Sequence, residues 1–382
     1  MALAHAAADA WLVLVPTLLF LIARDYGNDY LFLGALANVV IAANGISAMA
    51  TGVLADRYRP KVILAGFSLL TAAGALLAAF SPNAWLLAVS LAVFGLGAGI
   101  YHPVGLAAVT RHVARRSEAL GIHAMAGEIG TAILPTLMIS VALATNWRFA
   151  FGLAGVLSLA LLPFIRQIPS RADTSGDGAG LQLGELWAGV RSPKLATVYI
   201  TAVCREFGFA GTLVFLPTAV AVLGGLGEHR ILGVSTTGLW TSFVLLCGAL
   251  AAYAVGRAGE KSALERLLLL ATVTPIPMLV LMGQTRGTAL LAVLPFVGMS
   301  LSLSGPPVNG LIGKYLPEHL HGKGFAVLFG LGQTVSSLAG LLGGAVAGSL
   351  GLRWIFPIMA AFIALSVPLQ LAVLWNRSRQ AP

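Results

Sequence analysis

Apolar stretches of about 20 residues recur a dozen times along the 382-residue chain, divided by short polar connections. A hydrocarbon core about 30 Å thick is crossed by roughly 20 residues of helix. Twelve such stretches and their connections use up the chain, so the pattern predicts an all-α membrane protein with 12 transmembrane helices. The first six spans read as His5–Ile22, Leu31–Ala55, Lys61–Phe80, Ala84–Thr110, Glu118–Ala144 and Trp147–Ile165. The other six begin near Leu195, Leu232, Ala263, Thr288, Gly322 and Arg353, and the last ends near Trp375. The longest polar connection divides the chain into a six-helix bundle at 1–166, a linker at 167–193 and a second six-helix bundle at 194–382. In the linker, Leu183, Leu186, Trp187 and Val190 follow helical spacing, which predicts a short amphipathic helix on the membrane surface.

The positions of Lys and Arg give the orientation. Of the 23, 17 fall on one side of the predicted spans and 5 on the other, and Arg205 lies inside a span. Positive residues stay cytoplasmic. The bias therefore predicts an integral inner-membrane protein with both termini and the linker in the cytoplasm. Trp85, Trp147, Trp354 and Trp375 fall near span ends and read as interfacial anchors. The halves also echo each other at an almost constant offset. Pro16-Thr17 matches Pro217-Thr218, Arg57 and Lys61 match Arg257 and Lys261, Pro103-Val104 matches Pro307-Val308, and Arg148 matches Arg353. Two repeats in the same orientation are an arrangement used by secondary transporters.

Composition agrees with a membrane-embedded chain: 58% hydrophobic, 10% charged and 45 glycines, with a mean hydropathy of +0.90. Small residues let helices approach closely in lipid. The net charge of +9 forms no continuous basic patch, which argues against nucleic acid as a partner. Cys204 and Cys247 both lie in apolar segments and fit neither a disulfide framework nor a zinc motif. The first apolar stretch has no Lys or Arg before it and carries Asp9, so it reads as a span and not as a cleaved signal.

Charge at mid-membrane costs roughly 2.5–3.5 kcal/mol per residue on insertion scales and needs a reason. His5, Asp9, His102, His123, Glu128, Arg205 and Glu206 all fall within predicted spans. His5 and Asp9 are four residues apart and share a helix face, and an imidazole beside a carboxylate can hold or pass a proton between pH 5 and 8. Tyr101-His102-Pro103 predicts a kink, because proline removes a backbone hydrogen bond. Glu128 lies among small residues and is a candidate for proton or substrate binding. Arg205 is the expected anion-binding residue, since guanidinium pairs bidentately with anionic groups. His123 and Glu206 read as structural.

The connection Gly52-Val53-Leu54-Ala55-Asp56-Arg57-Tyr58-Arg59-Pro60-Lys61 resembles the loop signature of the major facilitator superfamily, with Arg59-Pro60 replacing its usual Gly-Arg. His5, Asp9, Tyr101-His102-Pro103, Arg205 and Phe215-Leu216-Pro217 give a narrower similarity to that superfamily's fosmidomycin-resistance group of drug exporters. The resemblance implies two parallel six-helix repeats and a central cavity lined by spans one, four, seven and ten, with five contributing. It also implies conformational gating by Gly52, Asp56, Arg57, Arg59 and Lys61. The expected function is a monomeric secondary transporter that exports a small drug-like or metabolite anion by proton antiport and alternating access. Substrate or proton coupling would fall to His5, Asp9, Tyr101, His102, Glu128 and Arg205. The proton gradient would drive it without a cofactor, since no phosphate-binding loop is present. No resident metal is expected and no catalytic constellation is visible, so an enzyme is excluded. The alternatives are a carrier for a transition metal or its chelate, which the His and Asp ligand types would suit, and a proton-coupled importer of a small organic acid. A non-transporting membrane sensor or scaffold is a further, weaker reading.

Overall fold

The computed structural model describes residues 1–27, 29–54, 58–105, 116–168, 192–259, 263–317 and 320–378. Among these, eleven helices are long and apolar enough to cross a membrane. They are α1 (Ala2–Asp25), α2 (Tyr30–Leu54), α3 (Pro60–Ala79), α4 (Ala84–Gly105), α5 (Arg116–Ala144), α6 (Trp147–Arg166), α7 (Pro193–Val222), α8 (Thr236–Gly259), α9 (Leu264–Gln284), α10 (Gly287–Tyr315) and α12 (Leu352–Val373). The 30-residue helix α11 (His321–Leu350) lies between the last two. The all-α membrane fold expected from the apolar pattern is what the chain adopts.

Local chemistry sets several helix starts. The side-chain oxygens of Asp29, Asn83 and Asn146 accept backbone N–H bonds at the starts of α2, α4 and α6, at 2.9–3.2 Å. These bonds satisfy donors that have no partner within the helix. The repeat recurs in the coordinates. Pro16 and Pro217 both sit inside long helices, each followed by a buried threonine. Helix α4 breaks at Ile100, just before Tyr101-His102-Pro103. At the matching place α10 passes through a 3-10 turn at Ser302–Ser304, before Pro306 and Pro307. Arg148 and Arg353 each lie over the neighbouring tryptophan ring, at 4.2 and 5.4 Å.

Start positions agree to within a few residues except at α8. The sequence reading begins that span near Leu232, whereas the helix starts at Thr236. Residues Arg230–Ile231 and Val234–Ser235 instead form a small antiparallel hairpin. Its turn residues Leu232 and Gly233 have φ of 51° and 82°, as a tight primed turn requires. An apolar leucine at that position conceals the turn from a hydropathy reading. The predicted linker helix lies outside the described residues.

By contacts the chain forms two compact units. One comprises Met1–Asp177 with Leu213–Ser242, and the other Gly178–Thr212 with Phe243–Pro382. In the first unit α1 packs along α5, α4 lies against α2 and α3, and α3 lies against α6. Glycines set these distances. A Cβ at Gly130 would run into the Ala6 backbone of α1, and one at Gly99 into the Asn44 backbone of α2. Near the α1 terminus, Asp25 accepts bonds from Trp147 Nε1 at 2.8 Å and Arg148 Nη1 at 2.7 Å, and Arg24 pairs with Glu228. Trp85 is exposed, as an interfacial anchor would be, but Trp147 is buried because its N–H is spent on Asp25. In the second unit α9 packs against α10 and α12, and Gly208 and Gly211 bring α7 onto Met359 and Ile363 of α12.

Candidate functional site

The first unit gathers a polar cluster from three helices. His5 and Asp9 come from α1, Tyr101 and His102 from the segment of α4 beyond its break, and His123 from α5. His5 Nδ1 lies 2.6 Å from the His123 carbonyl oxygen. A carbonyl only accepts, so Nδ1 carries the proton, and in a neutral ring the lone pair of His5 sits on Nε2. That nitrogen is 3.4 Å from Asp9 Oδ2. On the other side of the carboxylate, His102 Nε2 is 3.3 Å from Asp9 Oδ1. Both separations exceed the 2.7–2.9 Å of a tight charge-assisted bond. The carboxylate is shared between two imidazoles and committed to neither.

Aromatic packing fixes the rings. The His5 and His123 rings stack with centroids 3.9 Å apart and planes 1° from parallel. Tyr101 stacks on the other partners at 5.5 Å from His5 and 6.0 Å from His123. Its hydroxyl donates to the Met1 carbonyl at 2.9 Å. His123 Nδ1 is buried without a hydrogen-bond partner among the described residues. The cluster nevertheless opens on one side, since the side chains of Asp9 and His102 are 25% and 40% exposed.

Gly127 of α5 makes room for it. A Cβ there would collide with Asp9 Oδ2 and approach His5 Cε1 at 2.8 Å. Glu128, the next residue, is exposed. The structure thus brings together four of the six residues read as coupling or binding positions, His5, Asp9, Tyr101 and His102, with Glu128 beside Gly127 on α5.

Arg205 belongs to the second unit and is 3% exposed. Its Nη1 donates to the Ala271 carbonyl and its Nη2 to the Leu301 carbonyl at 2.8 Å. The adjacent Glu206 is half-buried near Gly332 of α11. A second polar group in that unit was not singled out from sequence. Glu265 accepts from Lys314 Nζ at 2.8 Å and Tyr315 OH at 2.6 Å. Asp25 and Glu228 were overlooked in the same way, because charges at span ends resemble ordinary topology signals. Of the residues expected to gate, Asp56 and Arg57 lie outside the described residues. Gly52 lies near the end of α2, Arg59 precedes α3 and is exposed, and Lys61 lies in the first turn of α3.

Known proteins resemble the chain along most of its length. It is 26% identical over 372 residues to a multi-drug resistance efflux pump PmrA homolog of Lactococcus lactis, covering 92% of this chain and 85% of that one. It is 27% identical over 378 residues to a gallate transporter of Pseudomonas putida, covering 88% and 82%. Among solved structures, the nucleoside transporter NupG superposes with a TM-score of 0.79 at 13% identity, covering 97% of this chain and 98% of that one. A bacterial homologue of the lysosomal transporter Spinster, in an inward-facing and occupied conformation, gives 0.80 at 12% identity, covering 97% and 94%. At such identities the structural likeness shows the fold alone. The Major Facilitator Superfamily model matches residues 2–340. With twelve long helices among the described residues, an internal repeat and a polar cluster between helices already in view, that match establishes the chain as a member of the major facilitator superfamily, a membrane transporter and not an enzyme.

Proposed function

We propose that this transporter exports a small drug-like or metabolite anion in exchange for protons, by alternating access between its two six-helix halves. The observation that carries the reading is the Asp9 carboxylate held 3.3–3.4 Å from two imidazoles. A proton added there would be shared among three groups that each have a charged and a neutral form. Exchange requires proton and anion to occupy the cluster in turn, so protonation of Asp9 or Glu128 from outside would accompany release of the anion, and loss of that proton to the cytoplasm would readmit one. Tyr101 and His123 hold the rings in place, and Glu128 offers a second proton position beside Asp9. Arg205 is engaged with backbone carbonyls, so the anion preference rests here on the histidines. Export accords with the similarity to multi-drug efflux pumps.

The chain would act as a monomer in the inner membrane with both termini cytoplasmic, as its Lys and Arg distribution favours. Asp56 with Arg57, Arg59 and Lys61 would gate the change of state, a carboxylate suiting a helix N-terminus and arginine supplying a fixed fork of donors. Uptake of a small organic acid with protons is the second reading, favoured by the similarity to a gallate transporter.

Inverted membrane vesicles test both. Anion accumulation driven by an inward-acid gradient, abolished by an uncoupler and by Asp9→Asn, is the expected result. Accumulation that ignores the gradient overturns proton coupling, and gradient-driven flux in the opposite direction selects uptake.

A further inference from the structure

We propose that His5, Asp9 and His102 form a binding site for a divalent first-row transition ion such as Zn²⁺. Their donor atoms all lie within 4.8 Å of one another. Zinc bonds to nitrogen and oxygen are about 2.0–2.2 Å long, and ligands around a tetrahedral ion then stand about 3.3–3.5 Å apart. The observed separations of 3.3 and 3.4 Å, each from one imidazole Nε2 to a different oxygen of Asp9, are too long for tight charge-assisted bonds and are of that order, with the carboxylate able to turn either oxygen to the ion.

The tautomer supplies an independent argument. The His123 carbonyl holds the proton on His5 Nδ1, which leaves the Nε2 lone pair of a neutral ring facing a carboxylate oxygen. Two electron-rich atoms facing each other are stable only with a cation between them, either a proton or a metal. A ligating imidazole that donates its other N–H to a backbone carbonyl is the usual support for a bound metal. Stacking on His123 at 3.9 Å fixes the same ring. Two imidazoles and one carboxylate make up the donor set of zinc sites that keep a position open. Here the opening is on the partly exposed side of His102 and Asp9. The ion would lie between the carboxylate and the two imidazoles. Its binding needs only the geometry of the cluster and does not depend on the proton-coupling reading.

Purified full-length protein carrying a tag without histidine is titrated with Co²⁺, followed by its visible absorption, and the Co²⁺ is then displaced with Zn²⁺. One ion per chain is expected, with affinity rising with pH because a ligating imidazole must be unprotonated. Loss of a second-shell partner costs about 10–100-fold in affinity, so His102→Ala or Asp9→Asn should lose about 100-fold or more. His229→Ala, at an exposed loop histidine, should bind as the parent does. If His102→Ala does not yield folded protein, His102→Gln keeps the bulk, removes the imidazole and carries the same expectation. No saturable binding at one ion per chain, or equal binding in the His102 and Asp9 variants, overturns the site. The readout is binding without flux, so failure of the metal site and failure of proton coupling are told apart.

Discussion

The two units hold buried charge in opposite ways. In the first, Asp9 faces two imidazoles at 3.3–3.4 Å and one edge of the group is exposed. In the second, Arg205 is 3% exposed and donates to the carbonyls of Ala271 and Leu301. Carbonyls cannot change protonation, so no proton on the acceptors undoes the bonds that join the arginine to α9 and α10. A carboxylate and an imidazole, by contrast, each exist in charged and neutral forms, so their pairing can change with protonation. The difference teaches that a charge inside a membrane protein is best interpreted by what satisfies it. Backbone partners make a charge structural, whereas titratable partners with an open edge make it available for work.

The strongest challenge to that contrast is Arg205→Met. It leaves two buried carbonyls unpaired, at about 1–3 kcal/mol each, and thermal unfolding of the purified protein should show a marked loss of stability. A variant that stays as stable but no longer binds anions would move Arg205 into the substrate site and dissolve the comparison.

Next come the α5 glycines. Gly130→Ala places a methyl against the Ala6 backbone, and such overpacking costs about 1–3 kcal/mol. Gly127→Ala meets the Asp9 carboxylate and the edge of the His5 ring, with no backbone atom among its three nearest neighbours. It should leave unfolding within about 0.5 kcal/mol of the parent while displacing the carboxylate and removing proton-driven flux. If both substitutions behave alike, the cluster is part of the packing.

Asp9→Asn should reduce gradient-driven flux by at least tenfold, about 1.4 kcal/mol, with little change in melting temperature. A large drop in melting temperature would place Asp9 in the same class as Arg205. The smallest effect is expected from Tyr101→Phe, which loses the bond to the Met1 carbonyl. A hydrogen bond of that kind is worth about 0.5–1.5 kcal/mol. Flux should persist, and its loss would make the phenol part of the proton path.

The helices were legible from hydropathy because bilayer thickness imposes a length that few other constraints imitate. The repeat was legible because its prolines and arginines mark places where a helix must break or end. His5 with Asp9 was legible as an i, i+4 pair. That His102 completes the cluster was not, because it lies 93 residues beyond Asp9 in sequence and arrives by the packing of α4. The direction of Arg205 was equally hidden, since sequence does not record which carbonyls a guanidinium will reach. Leu232 misled for a simple reason: a leucine in a left-handed turn has the same hydropathy as a leucine in a helix.

Gly127 carries one more implication. Where that residue lacks a side chain, the contact between α1 and α5 also sets how closely the cluster can be held. His5 and Asp9 ride on α1 together, so a slide of α1 along α5, at about 1.5 Å of rise per residue, leaves their 3.4 Å separation unchanged and moves the pair as one body past the His123 carbonyl that holds the His5 ring. A displacement of the helix would be registered first at that backbone bond.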